Sequence, residues 1–182
     1  MKELTVRIRF TSHCLGNQKA KDGSGRFEFM RSPDGEHVLF LATWHHANLR
    51  MAAQLLGRHQ SDVGKIYWDI NVDGALREDR WHRAWYISPK SKQRRYSLHE
   101  AFFPGQEVSV NCAVPSSISD EDFWRLMAKV GQYKGISPWK PGEFGNFEVV
   151  SIRPRRNPQQ SDESEQEVHD EPKKVSRRPV ET

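Results

Sequence analysis

Cysteine is scarce in this sequence, which has Cys14 and Cys112 in 182 residues. Two thiols cannot build a disulfide framework or a four-cysteine zinc site. Nothing around Ser12-His13-Cys14 marks that thiol as an activated nucleophile. We therefore expect a reduced, cytoplasmic protein that holds no metal.

Long apolar runs are also missing. No stretch approaches the roughly 18 residues that a membrane helix needs. The first ten residues, MKELTVRIRF, alternate in charge and lack the apolar core of a signal peptide. The glycine-rich motifs of nucleotide-binding enzymes and the serine elbow of hydrolases are absent as well. These absences predict no membrane partner and no cofactor.

Aromatic residues are absent from the segment 157–182, which is rich in Ser, Gln, Glu and Pro. This composition predicts a disordered charged tail after a folded domain spanning residues 1–156. The tail has seven acidic and four basic residues, so its net charge is −3 and that of the domain is +7. A solvating tail is the simpler interpretation. Alternatively, its acidic block competes with nucleic acid for the basic domain.

Alternating apolar residues predict the strands. Leu4 to Thr11 reads LTVRIRFT and places four apolar side chains on one face. Further strands are predicted at 65–72, 80–87, 94–98, 108–113 and 147–152, with a hairpin at 27–30 and 37–41 and a connection from His99 to Gly105. Helical spacing of apolar residues at 49–56 and 123–130 predicts two helices. The predicted fold is a ferredoxin-like β-α-β-β-α-β arrangement, an α+β fold with an antiparallel sheet and an inserted hairpin.

The segment from Gln106 to Arg153 carries the clearest local signals. Ser119 is a good N-cap, and Asp122 three residues later resembles a capping box. Gly135 can take the left-handed conformation that ends a helix. The loop from Gly135 to Gly145 has three glycines, two prolines, one lysine and two aromatic residues. Such a loop can present N–H groups to a phosphate, or it can be a stiff connection that only packs.

Aromatic and basic residues alternate between positions 80 and 96, which read RWHRAWYISPKSKQRRY. Cations neutralise phosphates, and flat rings stack on unpaired bases. On a strand, Trp81, Arg83 and Trp85 share one face. The pattern predicts single-stranded nucleic-acid binding, although core aromatics beside a solvated basic hairpin tip explain it equally well. The candidate binding residues along the whole chain are Lys19, Lys21, Arg80, Trp81, Arg83, Trp85, Lys90, Lys92, Arg94, Arg95, Trp139, Lys140, Gly142 and Gly145.

The opening strand VRIRF and the closing block GISPWKPGEFGNFEVVSI, in this order of elements, resemble the RAMP superfamily, the repeat-associated RNA-binding proteins of CRISPR systems. The resemblance covers about residues 4 to 153, and the chain is also similar to small phage and mobile-element proteins. It implies single-stranded RNA binding, or single-stranded DNA binding, through the loop and the sheet face. The other subunits of a CRISPR-type or phage nucleoprotein assembly are then further partners.

Two other functions stay open. Some RAMP enzymes cleave CRISPR transcripts without metal through a histidine near the first helix, so the resemblance implies His45 or His46 as a candidate general acid or base. The simpler interpretation is a polar helix start. His45, His46 and Glu100 do not make a metal site, because adjacent helical residues point about 100° apart. The third function is a protein-interaction factor, for example an inhibitor of a host defence complex that imitates one of its subunits.

Overall fold

The computed structural model describes residues 1–40, 42–88, 90–137 and 144–155, without the side chains of residues 42–44, 46 and 62. Within these residues the elements are β1 (Lys2–Phe10), β2 (Cys14–Leu15), β3 (Gln18–Lys19), β4 (Phe27–Glu28), β5 (Met30–Arg31), β6 (Val38–Leu39), α1 (Ala42–Leu55), α2 (Gln60–Val63), β7 (Tyr67–Asp73), β8 (Trp81–Ile87), β9 (Arg94–Phe102), β10 (Glu107–Val114), α3 (Asp120–Tyr133) and β11 (Phe147–Pro154).

The main sheet has the strand order β11-β1-β10-β7-β6-β5, and its neighbours pair antiparallel. The central pair, β1 and β10, runs in register from Lys2↔Val114 to Arg9↔Glu107. The predicted hairpin is present as β5 and β6, and β6 continues the sheet beside β7. The protein is therefore a mixed α+β structure, as the sequence predicts.

One face of the main sheet is buried beneath the helices. On β1, alternate residues from Leu4 to Phe10 are buried, and on β10 the same holds from Val108 to Val114. Helix α3 adds Phe123, Leu126, Met127 and Val130 to this core. Each fully buried side chain of this size contributes about 1.5–3 kcal/mol. The opposite face keeps its polar side chains in water.

The local signals of α3 are confirmed. The Ser119 side chain accepts a hydrogen bond from the Asp122 N–H, which satisfies an otherwise unpaired donor of the first turn. After the helix, Gly135 has φ +60°, a left-handed conformation that residues with a side chain rarely adopt. No helix in the described part of the chain is long and apolar enough to cross a membrane.

Strands β8 and β9 form a long ribbon outside the main sheet. They pair antiparallel from Trp81↔Glu100 to Ile87↔Arg94. The predicted connection from His99 is wrong in its first part, since β9 continues to Phe102. The reason is burial, because Ala101 and Phe102 are inaccessible to solvent and pair with the short strand β2.

Helix α3 touches β11 through a glycine. A Cβ atom placed on Gly131 would lie 2.1 Å from the carbonyl oxygen of Phe147, so the contact admits no side chain. Gly131→Ala should lower the free energy of unfolding by about 1–3 kcal/mol in urea denaturation, because the helix or the strand must shift.

Gly64→Ala is the matched control. Gly64 has φ −67° and its added Cβ would meet its nearest atom at 3.6 Å, an ordinary contact. The control should change stability by less than about 1 kcal/mol. Equal losses in the two variants would contradict a specific contact at Gly131.

Candidate nucleic-acid interface

The outer face of the ribbon, as we call the surface formed by Trp81, Arg83, Trp85, Ile87, Arg94 and Tyr96, is exposed to solvent for most of its length. The register places Trp85 opposite Tyr96 and Ile87 opposite Arg94. Trp85, Tyr96 and Ile87 are 48%, 51% and 69% exposed. The alternation that placed Trp81, Arg83 and Trp85 on one face is therefore confirmed. The rings of Trp85 and Tyr96, toward the tip of the ribbon, are exposed and are not core residues.

Guanidinium groups lie over the rings of this face. The Arg83 carbon Cζ is 4.5 Å from the centre of the Tyr96 ring, and Arg94 is 4.6 Å from that of Trp85. At the other end, Arg26 lies 5.1 Å from the ring centre of Trp81. Each exposed contact of this kind contributes about 0.5–1 kcal/mol. Charges and flat rings are thus held side by side without being buried, as phosphate and base binding require.

The other predicted basic residues are distributed around the ribbon. Lys90 and Lys92 are exposed in its turn, where Lys92 has φ +53°. Arg95 is exposed and lies on the opposite face from the rings, because it pairs with Tyr86. Lys19 lies on β3, in the sheet that contains β9, and Lys21 is exposed in the turn that follows.

Arg80, which is predicted to bind nucleic acid, forms an ion pair with a buried carboxylate. Glu100 is 1% exposed, and its oxygens lie 2.8 Å from Arg80 Nε and 2.5 Å from Arg31 Nη2. The Phe29 N–H donates to the same carboxylate at 3.0 Å. Glu100, on β9, therefore links Arg80, just before β8, to Arg31 on β5 and to the backbone of Phe29.

Gly145 is also held by the protein itself. Its N–H donates to the His13 carbonyl at 2.7 Å, and its carbonyl accepts from Ile136 N–H at 2.9 Å. A Cβ on Gly135 would lie 2.3 Å from the Gly145 backbone, so the two glycines allow two chain segments to touch. Trp139, Lys140 and Gly142 lie outside the described residues.

A cluster of three histidines, His13, His82 and His99, lies where the ribbon contacts the loop after β1. No sequence pattern predicts this cluster. His13 stacks on His82 with a distance of 3.9 Å between ring centres. His82 pairs across the strands with His99, whose Nδ1 donates to the Gly16 carbonyl at 2.7 Å. Burial lowers the pKa of all three, and the neighbouring His82 lowers that of His13 further. The residues are too far apart in sequence for any spacing rule to connect them.

His45, one of the two proposed acid–base residues, lies in the core, as do both thiols. His45 is 2% exposed and stacks on Trp68 at 4.4 Å, so a substrate has no access to its ring in this conformation. The His46 side chain lies outside the described residues. Burial raises the pKa of Cys112 to about 12 and that of Cys14 further still, which leaves both as neutral thiols.

The uncovered face of the main sheet is polar. Arg9 donates to Glu107 at 2.9 Å and to Glu148 at 2.8 Å, and Arg7 forms an ion pair with Glu107. The arginines hold the pKa of Glu107 below its usual range. This end of the face is therefore neutralised by its own carboxylates.

This fold is similar to that of CRISPR-complex subunits. A chain in the cryo-EM structure of the Type III-B Cmr-beta complex bound to cognate target RNA aligns with a TM-score of 0.60 and 12% identity, over 84% of this chain and 60% of that one. A chain of a Type IV-B CRISPR complex aligns with a TM-score of 0.49 and 9% identity, over 93% and 100%. No protein-family model and no curated protein matches this chain. The likeness concerns the fold, and this chain spans 60% of the length of the Cmr-beta chain.

The Glu100 contact can be tested by removing its charge. Glu100→Gln should lower the free energy of unfolding by about 1–3 kcal/mol, because buried donors lose a charged acceptor. Glu148→Gln is the control, since Glu148 pairs with Arg9 at the surface and such pairs contribute about 0–1 kcal/mol. Chemical denaturation of both variants measures the difference, and equal effects would contradict a buried anchor.

The histidine cluster predicts a loss of stability in mild acid. Lowered pKa values mean that the unfolded chain, with histidine near 6.5, binds more protons than the folded one. The free energy of unfolding should therefore be highest above about pH 7 and fall as the pH decreases through 6.5. The double variant His13→Gln with His82→Gln should flatten this slope, whereas His37→Gln, on an exposed turn, should not. An unchanged slope in the double variant would contradict the prediction.

Proposed function

We propose that this protein is a subunit of a CRISPR-type nucleoprotein assembly that binds single-stranded RNA through the outer face of the ribbon. The observation that carries the proposal is the alternation of exposed rings and guanidinium groups on that face. Phosphates need cations, and unpaired bases need flat partners, and here both occur on one pair of strands. The cytoplasm is the compartment that this function implies.

The fold supports the proposal. The strand order β11-β1-β10-β7, with α1 before β7 and α3 before β11, is what a ferredoxin-like RAMP domain would have. The similar Cmr-beta chain belongs to a complex that binds target RNA. We extend that property to this chain on the strength of the ribbon. Residues 1–156 would form the RAMP-like domain and 157–182 its charged tail.

Net charge favours a nucleic-acid partner. Residues 1–156 carry +7, and basic residues gather on the ribbon and its turn. A basic surface that contains exposed tryptophan and tyrosine differs from an ordinary solvated surface, where large apolar side chains are scattered singly. A protein partner would also use such rings, so the assay must distinguish the two.

Fluorescence anisotropy with labelled 20-mers of RNA and DNA at several salt concentrations tests the proposal. Trp85→Ala should weaken RNA binding about 5- to 150-fold if a base stacks on that ring. Trp124→Ala is the matched control, because Trp124 is exposed on α3, a different element from the ribbon.

Arg94→Ala with Arg95→Ala should reduce the salt dependence of affinity, while Arg125→Ala with Lys129→Ala on α3 should leave it unchanged.

The deciding result is binding by the wild-type protein. If it binds neither RNA nor DNA at low salt, the nucleic-acid function is wrong and the ribbon serves a protein partner. Circular dichroism of each variant separates a loss of binding from a loss of folding.

A further inference from the structure

The uncovered face of the main sheet contains an open groove. The strands that line it do not pair with the ribbon strands β8 and β9. Its volume is about 770 Å³, and it crosses β11, β1, β10 and β7. Neighbouring strands are about 4.8 Å apart, so the groove spans about 14 Å from β11 to β7. This width accommodates an extended chain rather than a single small ion.

Arginines gather at the β11 end of the groove. Arg153 and Arg155 line it there, and Arg7 lines it on β1. Within the described residues Arg153 forms no ion pair, and Arg155 has a loose one with Glu3 at 3.9 Å. The guanidinium groups of Arg153 and Arg155 therefore retain N–H donors for a ligand, whereas Arg7 is paired with Glu107. The forked arrangement of guanidinium N–H groups matches phosphate oxygens.

Hydroxyl and amide groups line the middle of the groove. Thr5 donates to the Asn111 oxygen Oδ1 at 2.7 Å, which leaves the amide N–H groups of Asn111 able to donate elsewhere. Ser109 and Ser151 add hydroxyl groups to the lining. No aromatic residue lines the groove among the described residues. Its chemistry suits a sugar–phosphate backbone, and its described lining offers no aromatic ring on which a base could stack.

Asp73 provides the single carboxylate of the lining, at the β7 end. It pairs through its backbone with Ser109, and within the described residues its side chain has no hydrogen-bond partner. A carboxylate repels phosphate but accepts a hydrogen bond from a hydroxyl group. The 2′-hydroxyl is the group by which proteins distinguish RNA from DNA.

We propose that this groove binds the sugar–phosphate backbone of single-stranded RNA, with Arg153 and Arg155 on phosphates and Asp73 accepting a 2′-hydroxyl, so that it selects RNA over DNA. The proposal rests on the RNA-binding function given above and adds a second surface and a specificity-determining residue to it. Because the arginines and the carboxylate stand at opposite ends of the groove, a phosphate near β11 lies far from the charge of Asp73.

The test compares three labelled 20-mers of one sequence: RNA, DNA and fully 2′-O-methylated RNA. The wild-type protein should bind RNA more tightly than either of the others, because both lack the hydroxyl donor. Asp73→Ala should lower the ratio of RNA to DNA affinity about five- to tenfold, through weaker RNA binding and stronger DNA binding. Asp69→Ala, on the same strand and outside the groove, should leave the ratio unchanged.

The double variant Arg153→Ala with Arg155→Ala tests the other end of the groove. It should weaken RNA and DNA alike and reduce the slope of log affinity against log salt by about one to two units. Circular dichroism and thermal melting confirm that each variant folds.

The outcomes separate the groove from the ribbon. An unchanged ratio in Asp73→Ala, or equal binding of RNA and 2′-O-methyl RNA, overturns the role of Asp73. An unchanged salt slope in the arginine double variant overturns the groove as a binding surface. If Trp85→Ala weakens binding while the groove variants do not, the proposed function stands without the groove. No wild-type binding to any strand overturns both.

Discussion

The carboxylate of Glu100 is the buried polar contact that ties the ribbon to the rest of the protein. It is buried, and it receives the Phe29 N–H and the guanidinium groups of Arg31 and Arg80. A buried charge is costly unless it is paired on several sides. Here Arg31 on β5 and the Phe29 N–H donate hydrogen bonds, and Arg80 before β8 adds an ion pair. Apolar contacts hold the same end of the ribbon. Phe102, at the end of β9, lies in the main core with its ring centre 5.5 Å from that of Phe10, and Ala84 and Ala101 form a smaller cluster with Leu15. The orientation of the exposed face is therefore set by this ion-pair network together with the buried end of β9.

Local sequence signals predicted those parts of the structure that depend on local chemistry. The alternation from Leu4 to Phe10 gave the buried face of β1, and the Ser119 cap gave the start of α3. The period of two on β8 placed Trp81, Arg83 and Trp85 together, because adjacent side chains on a strand point to opposite faces. In each case the deciding interaction lies within a few residues of sequence.

Contacts between residues far apart in the chain could not be predicted from local sequence signals. Glu100 and Arg31 are 69 residues apart, so no spacing rule links them, and no spacing rule indicates the ion pair between Glu100 and Arg80 either. His13 and His82 meet only because the ribbon folds back onto the loop after β1. His45 is a candidate general acid or base, or part of a polar helix start, by sequence, and its ring is packed on Trp68. These residues share one property: their environment is decided by tertiary packing, which composition and periodicity do not encode.

The two proposed surfaces divide the chemistry of one ligand between them. A polynucleotide offers flat bases on one side and charged phosphates with hydroxyl groups on the other. The outer face of the ribbon has rings and guanidinium groups together, so both stacking and charge would contribute to binding there. The described lining of the main-sheet groove has guanidinium, hydroxyl and amide groups and one carboxylate, which would suit the sugar–phosphate backbone. Because stacking tolerates any base and the groove contacts no base edge, such a pair of surfaces would distinguish RNA from DNA while remaining indifferent to sequence.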